Sequence, residues 1–530
     1  MKRWICLLLA LTLILAACAA LGEEAAALEI AFHEGWDTAD NNRVFYEIFV
    51  GSFSDSDGDG TGDLRGIINR LDYLNDGDPA SGRSLGVEGI WLTPVFSSPS
   101  YHKYDVTDYY AVDPAFGTMD DLKELVAGCH QRGMLVILDL PINHTGDRCR
   151  WFKNFRNAHL MHNPGNDYYD FYVWAEDGET LPAGRHFARL SGTGLLYEAN
   201  FSDSMPELNF DSEFVRQTLL DVGRFYLSLG VDGFRFDAAK YLYLGDNARC
   251  VAFWQWYIGE LRKEKPDLYT VAEVWDSDRI TDQYLPATSC FNFTASQVSG
   301  IIAETAKGGN VNRYTGYIRD YLDRLEAAGG DARATLFIAN HDTDRAAGYL
   351  TVASGFMKMA ANLYLLSPGS PFIYYGEEIG LRGSRGGANT DANRRLAMLW
   401  GDGDTVQDPP GTTYDPKKQT SYSVRDLYGM KGSLYRHYQQ LLMLRKANPE
   451  IARGTYEPLA LEGTKLGGFR STWQGHTVAV LHNTTMNDIK VALADIGLAD
   501  MGLEAAVGIW PSSLKDGVLC VGSQSSVILR

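Results

Sequence analysis

Eight apolar runs of strand length, separated by stretches of helical period, constrain this chain more than any other feature. They are Val44–Val50, Gly89–Val95, Met134–Leu140, Gly233–Ala239, Tyr269–Trp275, Cys290–Thr294, Ala334–Asn340 and Pro371–Gly376. Each is apolar enough to be covered on both sides, as strands of a parallel sheet are. Among the intervening segments, Val215–Leu229 brings Val215, Leu219, Val222, Tyr226 and Leu229 onto one face at helical spacing. Another starts at Thr118, where Asp121 completes a capping box, and stops at Gly133. Eight such units predict a parallel (β/α)8 barrel, with a doubly wound open sheet as the other solution of the same pattern.

The alternation breaks twice. Residues 146–211, rich in Asn, Asp, Gly and aromatic side chains, read as a loop domain inserted after the third strand, which divides the barrel into 44–145 and 212–453. Over 454–530 the helical period gives way to short alternating segments such as His476–His482 and Ile489–Leu493, the pattern of a small β-sandwich. A chain of 530 residues is expected to need more than one core.

The first residues read as an address. Lys2 and Arg3 precede an apolar run, Trp4–Ala17, that falls short of the roughly 20 residues a spanning helix needs. The run ends in Leu15-Ala16-Ala17-Cys18, which resembles a bacterial lipobox; cleavage at an ordinary small-residue site is the alternative. The lipobox reading makes 1–17 a lipoprotein signal peptide, Cys18 the lipidated residue, 18–43 a tether, and the protein an extracytoplasmic one anchored to a bacterial membrane. Cys129, Cys149, Cys250, Cys290 and Cys520 then remain, an odd and scattered set that predicts free thiols rather than a disulfide framework. A formal net charge of −19 leaves no basic stripe for a polyanion, so nucleic acid is excluded as a partner and a neutral substrate suits the body better. A monomer is expected.

Chemistry on a barrel belongs at the C-terminal ends of its strands. The third strand ends in Asp139-Leu140-Pro141-Ile142-Asn143-His144, the fourth in Gly233-Phe234-Arg235-Phe236-Asp237, the fifth in Glu273-Val274-Trp275 and the seventh in Asn340-His341-Asp342. Arg235 and Asp237 leave the same side of their strand, so the guanidinium is expected to keep Asp237 ionised as a nucleophile. Glu273, facing that negative charge, is expected to hold its proton for general-acid work. Two carboxyls in opposite protonation states are what glycoside cleavage needs, and in retaining enzymes they lie roughly 5–5.5 Å apart. Asp342 is a third acid, suited to stabilising an oxocarbenium-like transition state.

Together these segments resemble the conserved regions of the α-amylase family, glycoside hydrolase family 13. The resemblance implies a retaining hydrolase with Asp237 as nucleophile, Glu273 as acid/base and Asp342 as transition-state stabiliser, and with His144, Arg235 and His341 binding the sugar at the cleavage point. Tyr104 and Asp105 match the family's stacking Tyr and its neighbouring Asp. Arg395 resembles the Arg that pairs with that Asp in exo-acting members, although Ala397 stands where those relatives carry Pro; a surface ion pair is its other reading. Trp275 either stacks on a leaving-group sugar or packs.

The acidic loop Asp55-Ser56-Asp57-Gly58-Asp59-Gly60-Thr61-Gly62-Asp63 places four carboxylates where a hard cation would relieve their repulsion. It resembles the calcium loop of oligo-1,6-glucosidase-like and neopullulanase-like members, so Ca2+ is expected on Asp55, Asp57, Asp59, Thr61 and Asp63; a solvated acidic loop is the alternative. Asn143 matches a calcium ligand of classical α-amylases, without its companions being identifiable. Met205-Pro206-Glu207-Leu208-Asn209 is similar to the MPDLN segment of subfamilies that include lipoprotein α-amylases, with Glu207 for Asp. Ala238, beside the nucleophile, accompanies α-1,4 rather than α-1,6 preference in the family. The expected activity is therefore α-1,4 cleavage of starch-like glucans or maltooligosaccharides. The alternatives are an exo-acting α-glucosidase or oligo-1,6-glucosidase, a transglycosylase, and a non-catalytic glucan-binding lipoprotein.

Overall fold

The computed structural model describes residues 32, 38–386, 391–459, 461 and 465–530. The expected signal segment 1–17, Cys18 and most of the tether 18–43 lie outside them. Seven strands form one parallel sheet: β1 (Phe45–Ile48), β2 (Gly89–Leu92), β3 (Leu135–Leu140), β4 (Gly233–Phe236), β5 (Tyr269–Ala272), β6 (Ser289–Cys290) and β7 (Phe372–Tyr374), in the order β6-β5-β4-β3-β2-β1-β7.

The seventh apolar run, Ala334–Asn340, closes the barrel between β6 and β7 without forming a ladder. Asn292 N–H donates to Thr335 O (3.1 Å) on one side and Phe372 N–H to Leu336 O (2.8 Å) on the other. Side-chain hydroxyls take the place of ladder bonds towards β6: Arg333 N–H donates to Ser289 Oγ (2.9 Å), and Thr335 Oγ1 to Cys290 O. The sixth run, expected over Cys290–Thr294, pairs only at Ser289–Cys290, because the Asn292 side chain accepts from Ala295 N–H (2.9 Å) and turns the chain.

Phe45, Trp91, Ile137, Tyr269, Val271, Phe291, Phe337 and Phe372 form one buried cluster that fills the barrel, with Trp91 stacked on Phe291 at 5.3 Å. Alternate residues of the same strands, among them Tyr46, Ile48, Ile90, Leu92, Val136 and Leu138, join the larger core. This two-sided burial is why the runs are continuously apolar. The helix expected over Val215–Leu229 spans Glu213–Ser228, since Ser212 supplies the N-cap by accepting from Val215 N–H. The helix Met119–Gln131 carries the Thr118/Asp121 capping box, and Gly133 follows it at a positive φ of 72° that only glycine adopts without cost.

Between β3 and β4 the chain makes a helix, Arg150–Leu160, and a three-stranded antiparallel sheet of Trp174–Glu176, Phe187–Leu190 and Leu195–Glu198. It returns to the barrel at Pro206 and Leu208, where Thr145 N–H donates to Pro206 O (3.1 Å) and Leu208 N–H to Asn143 O (3.0 Å). After Gly454, a five-stranded and a three-stranded antiparallel sheet enclose their own core, which includes Leu466, Leu481, Leu519, Val521 and Val527. Cys129, Cys149, Cys250, Cys290 and Cys520 carry free thiols, all but the last buried. No helix among the described residues is long and apolar enough to cross a membrane.

Candidate active site

The parallel register sets the strand ends side by side. Arg235 on β4 aligns with Asp139 on β3 and with Val271 on β5, and Glu273 N–H donates to Phe236 O (2.9 Å). The Arg235 guanidinium is fully buried, 5.3 Å above the Trp91 ring, and serves three carboxylates. Nη1 reaches Asp139 Oδ1 at 2.8 Å and Asp237 Oδ1 at 2.6 Å, and Nη2 lies 2.9 Å from Glu273 Oε2. The last contact is an ion pair without hydrogen-bond alignment, because Nη2 has no hydrogen-bond partner in the structure. Ala238, held at a φ of 48°, turns its N–H onto Glu273 Oε2 (3.1 Å).

One guanidinium shared by three acids does not hold Asp237 low, which corrects the expectation from sequence. Burial dominates and pushes Asp237 up to about 6, against the pull of Arg235. Burial also pushes Glu273 up to about 7, opposed by Arg235 and reinforced by the charge of Asp237. The expected order survives, with Glu273 the better proton holder, but the separation is narrower. Asp342 behaves differently. Burial favours its neutral form, but His341, Arg395 and Arg235 overcome that and hold it well below the usual carboxylate range.

His341 sits between two acids, with Nδ1 2.5 Å from Glu47 Oε1 and Nε2 3.0 Å from Asp342 Oδ2. Burial disfavours its charge, yet Asp342 and Glu47 push it up to about 10, so the imidazolium is the resident form. The Tyr104 hydroxyl donates to Asp139 Oδ2 (2.8 Å) and lies 2.7 Å from His341 Nε2, with the two rings stacked. Sequence reasoning assigned no role to Glu47 or Asp139. Their signal was present: each is a carboxylate inside an otherwise apolar strand, 1% and 0% exposed.

Asp237, Glu273, Asp342, Tyr104, Asp105, His144, Trp275 and Arg395 line one cavity of about 800 Å³ at this face of the barrel. Arg395 is 4% exposed, which excludes the surface ion pair, but its partner is not Asp105. Arg395 Nη2 binds Asp342 Oδ1 at 2.8 Å, Nη1 donates to the Tyr101 hydroxyl (3.0 Å) and Nε to His341 O (3.1 Å). Asp105 is held instead by the hydroxyls of Ser98 (2.6 Å) and Ser100. The His144 ring, kept neutral by burial with its pKa down at about 4, has no hydrogen-bond partner on Nε2. Trp275 stacks one face on Phe293 (4.8 Å) and remains 41% exposed at the cavity. It packs and offers a free surface at once.

The model of the α-amylase catalytic domain matches residues 47–454, more than half of the chain. The chain belongs to the α-amylase family of glycoside hydrolases. Alpha-amylase 3 of Dictyoglomus thermophilum is 32% identical over 467 residues, covering 85% of this chain and 86% of its own. A 4-alpha-glucanotransferase of Thermotoga neapolitana is 29% identical over 459 residues, covering 84% and 96%. Among solved structures, Eubacterium rectale Amy13B superposes with a TM-score of 0.84 at 33% identity, covering 92% of this chain and 95% of its own. The α-amylase from H. orenii superposes with a TM-score of 0.79 at 34% identity, covering 92% and 99%.

In this α-amylase-family chain the acidic loop after β1 is built in part as the sequence suggests. Oxygens of Asp55, Asp57 and Asp63 lie within 4.8 Å of one another, and the Asp59 carboxylate is not part of that group. The Asp59 carboxylate accepts from Thr61 N–H (2.7 Å), Asp55 gathers Gly58 and Gly60 N–H (2.8 Å each), and Asp63 caps the helix Leu64–Asn69 through Gly66 N–H (2.6 Å). Asn143 is turned to Glu207, whose Oε2 accepts from its Nδ2, and Asn143 Oδ1 has no hydrogen-bond partner.

Proposed function

We propose that this protein hydrolyses α-1,4-glucosidic bonds in starch-like glucans or maltooligosaccharides with retention at the anomeric carbon. The observation that carries the reading is the grip of Asp237 and Glu273 on the two terminal nitrogens of one buried guanidinium, at one cavity wall. A carboxylate and a carboxylic acid so close together fit double displacement rather than water attack from across the ring. Asp237 attacks C1 as Glu273 gives its proton to the departing glycosidic oxygen. Water then cleaves the glycosyl ester, losing its proton to Glu273 and restoring the carboxylate of Asp237. Asp342, ionised throughout, stabilises the positive charge that builds at C1 and the ring oxygen. The unpartnered nitrogen His144 Nε2 is suited to a sugar hydroxyl, and the exposed face of Trp275 to a leaving-group sugar.

The exo-acting α-glucosidase reading loses support, because Arg395 is engaged by Asp342 rather than Asp105. Transglycosylation stays as the second reading, favoured by the similarity to glucanotransferases and by the exposed Trp275 and Phe201 faces at the mouth. A non-catalytic glucan binder has no use for three acids so differently poised. Incubation with starch, pullulan, maltotriose and isomaltose, followed by NMR, tests the reading: α-configured products from starch and maltotriose support it, products longer than the substrate indicate transfer, and action on isomaltose alone would refute it.

Calcium belongs to the same proposal. Three carboxylates with oxygens within 4.8 Å form a hard, all-oxygen donor set, to which Ca2+ would bring the charge that quenches their repulsion. The role is structural, since the loop follows β1 and contributes no carboxylate to the cavity. The lipobox-like sequence ending in Cys18 supports a lipid anchor that would keep the enzyme at a membrane surface beside soluble glucan.

A further inference from the structure

The cavity is complete without Glu207, yet Glu207 is connected to it. The residue enters from the inserted region, in the segment Met205–Asn209, and is 4% exposed. Its Oε1 accepts from Asn200 N–H (3.2 Å), and its Oε2 accepts from Asn143 Nδ2. That same amide nitrogen lies 3.3 Å from Nδ1 of His144. The far ring nitrogen, Nε2, has no hydrogen-bond partner, and the ring lines the cavity beside Asp105 and Asp237. The neighbouring acid, Glu198, is otherwise occupied, bound by Arg185 Nη1 (2.9 Å) and Asn200 Nδ2 (2.7 Å). The Tyr109 hydroxyl lies 2.6 Å from Pro141 O and 3.0 Å from His144 O and pins the main chain, while the His144 ring meets the Asn143 amide, the Tyr104 backbone and the Phe201 ring, 5.2 Å between centroids.

We propose that Glu207 is a positioning residue for His144: by holding the Asn143 amide it sets the imidazole so that Nε2 faces the sugar at the cleavage point. The amide nitrogen of Asn143 contacts both the Glu207 carboxyl group and the His144 ring nitrogen, and removing the carboxyl group frees the amide to rotate. Glu207 thus joins the inserted region to the sugar-binding face of the barrel through side chains. The simpler role, a staple between insert and barrel, predicts a different outcome in a double-mutant cycle.

The inference rests on the α-1,4 hydrolase reading, and the experiment separates the two. In the full chain, kcat/KM is measured on a chromogenic maltooligosaccharide for wild type, E207A, H144A and the double variant, with melting curves to confirm folding at the assay temperature. Wild-type inactivity on this substrate sinks the functional reading itself. With an active wild type, H144A and E207A are each expected to lose about tenfold or more in kcat/KM, and the double variant to match H144A within about twofold. Losses that multiply in the double variant, or an E207A enzyme as active as wild type, overturn the proposal. Should E207A not stay folded, E207D, which keeps an acid one methylene too short, is expected to give the same non-additive result, and multiplying losses there overturn the proposal equally.

Discussion

The pH dependence of turnover follows from the burial of Asp237 and Glu273, which the Arg235 guanidinium only partly offsets. The productive form needs Asp237 ionised and Glu273 protonated, and burial places these groups at about 6 and about 7. For two such titrations, about 60% of the enzyme is productive near pH 6.5, and two pH units to either side the fraction falls to about 3%, a loss of roughly twentyfold. Log kcat/KM on a maltooligosaccharide is therefore expected to follow a narrow bell, its acid limb set by the need to ionise Asp237 and its alkaline limb by loss of the Glu273 proton. E273Q separates the limbs. On an α-glucosyl fluoride, whose leaving group needs no acid, glycosylation of this variant is expected to keep the acid limb and lose the alkaline one. A rate flat across the neutral range in wild type, or an alkaline limb persisting in E273Q, would refute the assignment.

Three further outcomes are expected. Chelation of calcium should lower the melting temperature by several degrees, since a ligand at a hundredfold its Kd contributes about 2.7 kcal/mol; D57A should abolish the shift, and a melting curve indifferent to chelator and calcium alike would count against the loop as a cation site. Glu377 lies buried with the Tyr364 and Tyr438 hydroxyls on Oε1 (2.6 and 2.7 Å) and no hydrogen-bond partner on Oε2, and burial pushes it from 4.5 up to about 7. Because its folded-state value is raised, the stability it contributes is present below about pH 4.5 and is lost, by about 3 kcal/mol, as pH rises through 7. E377Q should flatten the fall in melting temperature over that window, whereas an unchanged slope would place the pH dependence elsewhere. In a bacterial host, C18A should release the enzyme from the membrane fraction and abolish labelling by a fatty-acid probe; continued labelling would exclude lipidation at that residue.

The barrel was readable because two-sided burial leaves a mark on sequence. Runs such as Gly89–Val95 have no polar face, and only a covered parallel strand uses such a run repeatedly. The departures have local causes that composition does not carry: hydroxyls of Ser289 and Thr335 replacing ladder bonds, and a turn at Asn292 that shortens β6. At the site, Arg235 and Asp237 were legible because an interval of two residues puts both side chains on one face of a strand. The protonation of Asp237 was not, because it depends first on burial and then on the other acids that share the guanidinium, and Asp139 and Glu273 arrive from other strands. Arg395 illustrates the same limit. Its neighbourhood was correct, but its choice of Asp342 over Asp105 is set by the Ser98 and Ser100 hydroxyls that already satisfy Asp105.

The claim on which the mechanism stands is a covalent bond between Asp237 and the glucosyl carbon, and peptide mass spectrometry of the enzyme quenched with a slow 5-fluoro-glycosyl fluoride tests it directly. The peptide containing Asp237 is expected to gain one fluorohexosyl unit, and D237N to gain none. A label on any other carboxylate, or an unlabelled enzyme that still turns the reagent over, would contradict it.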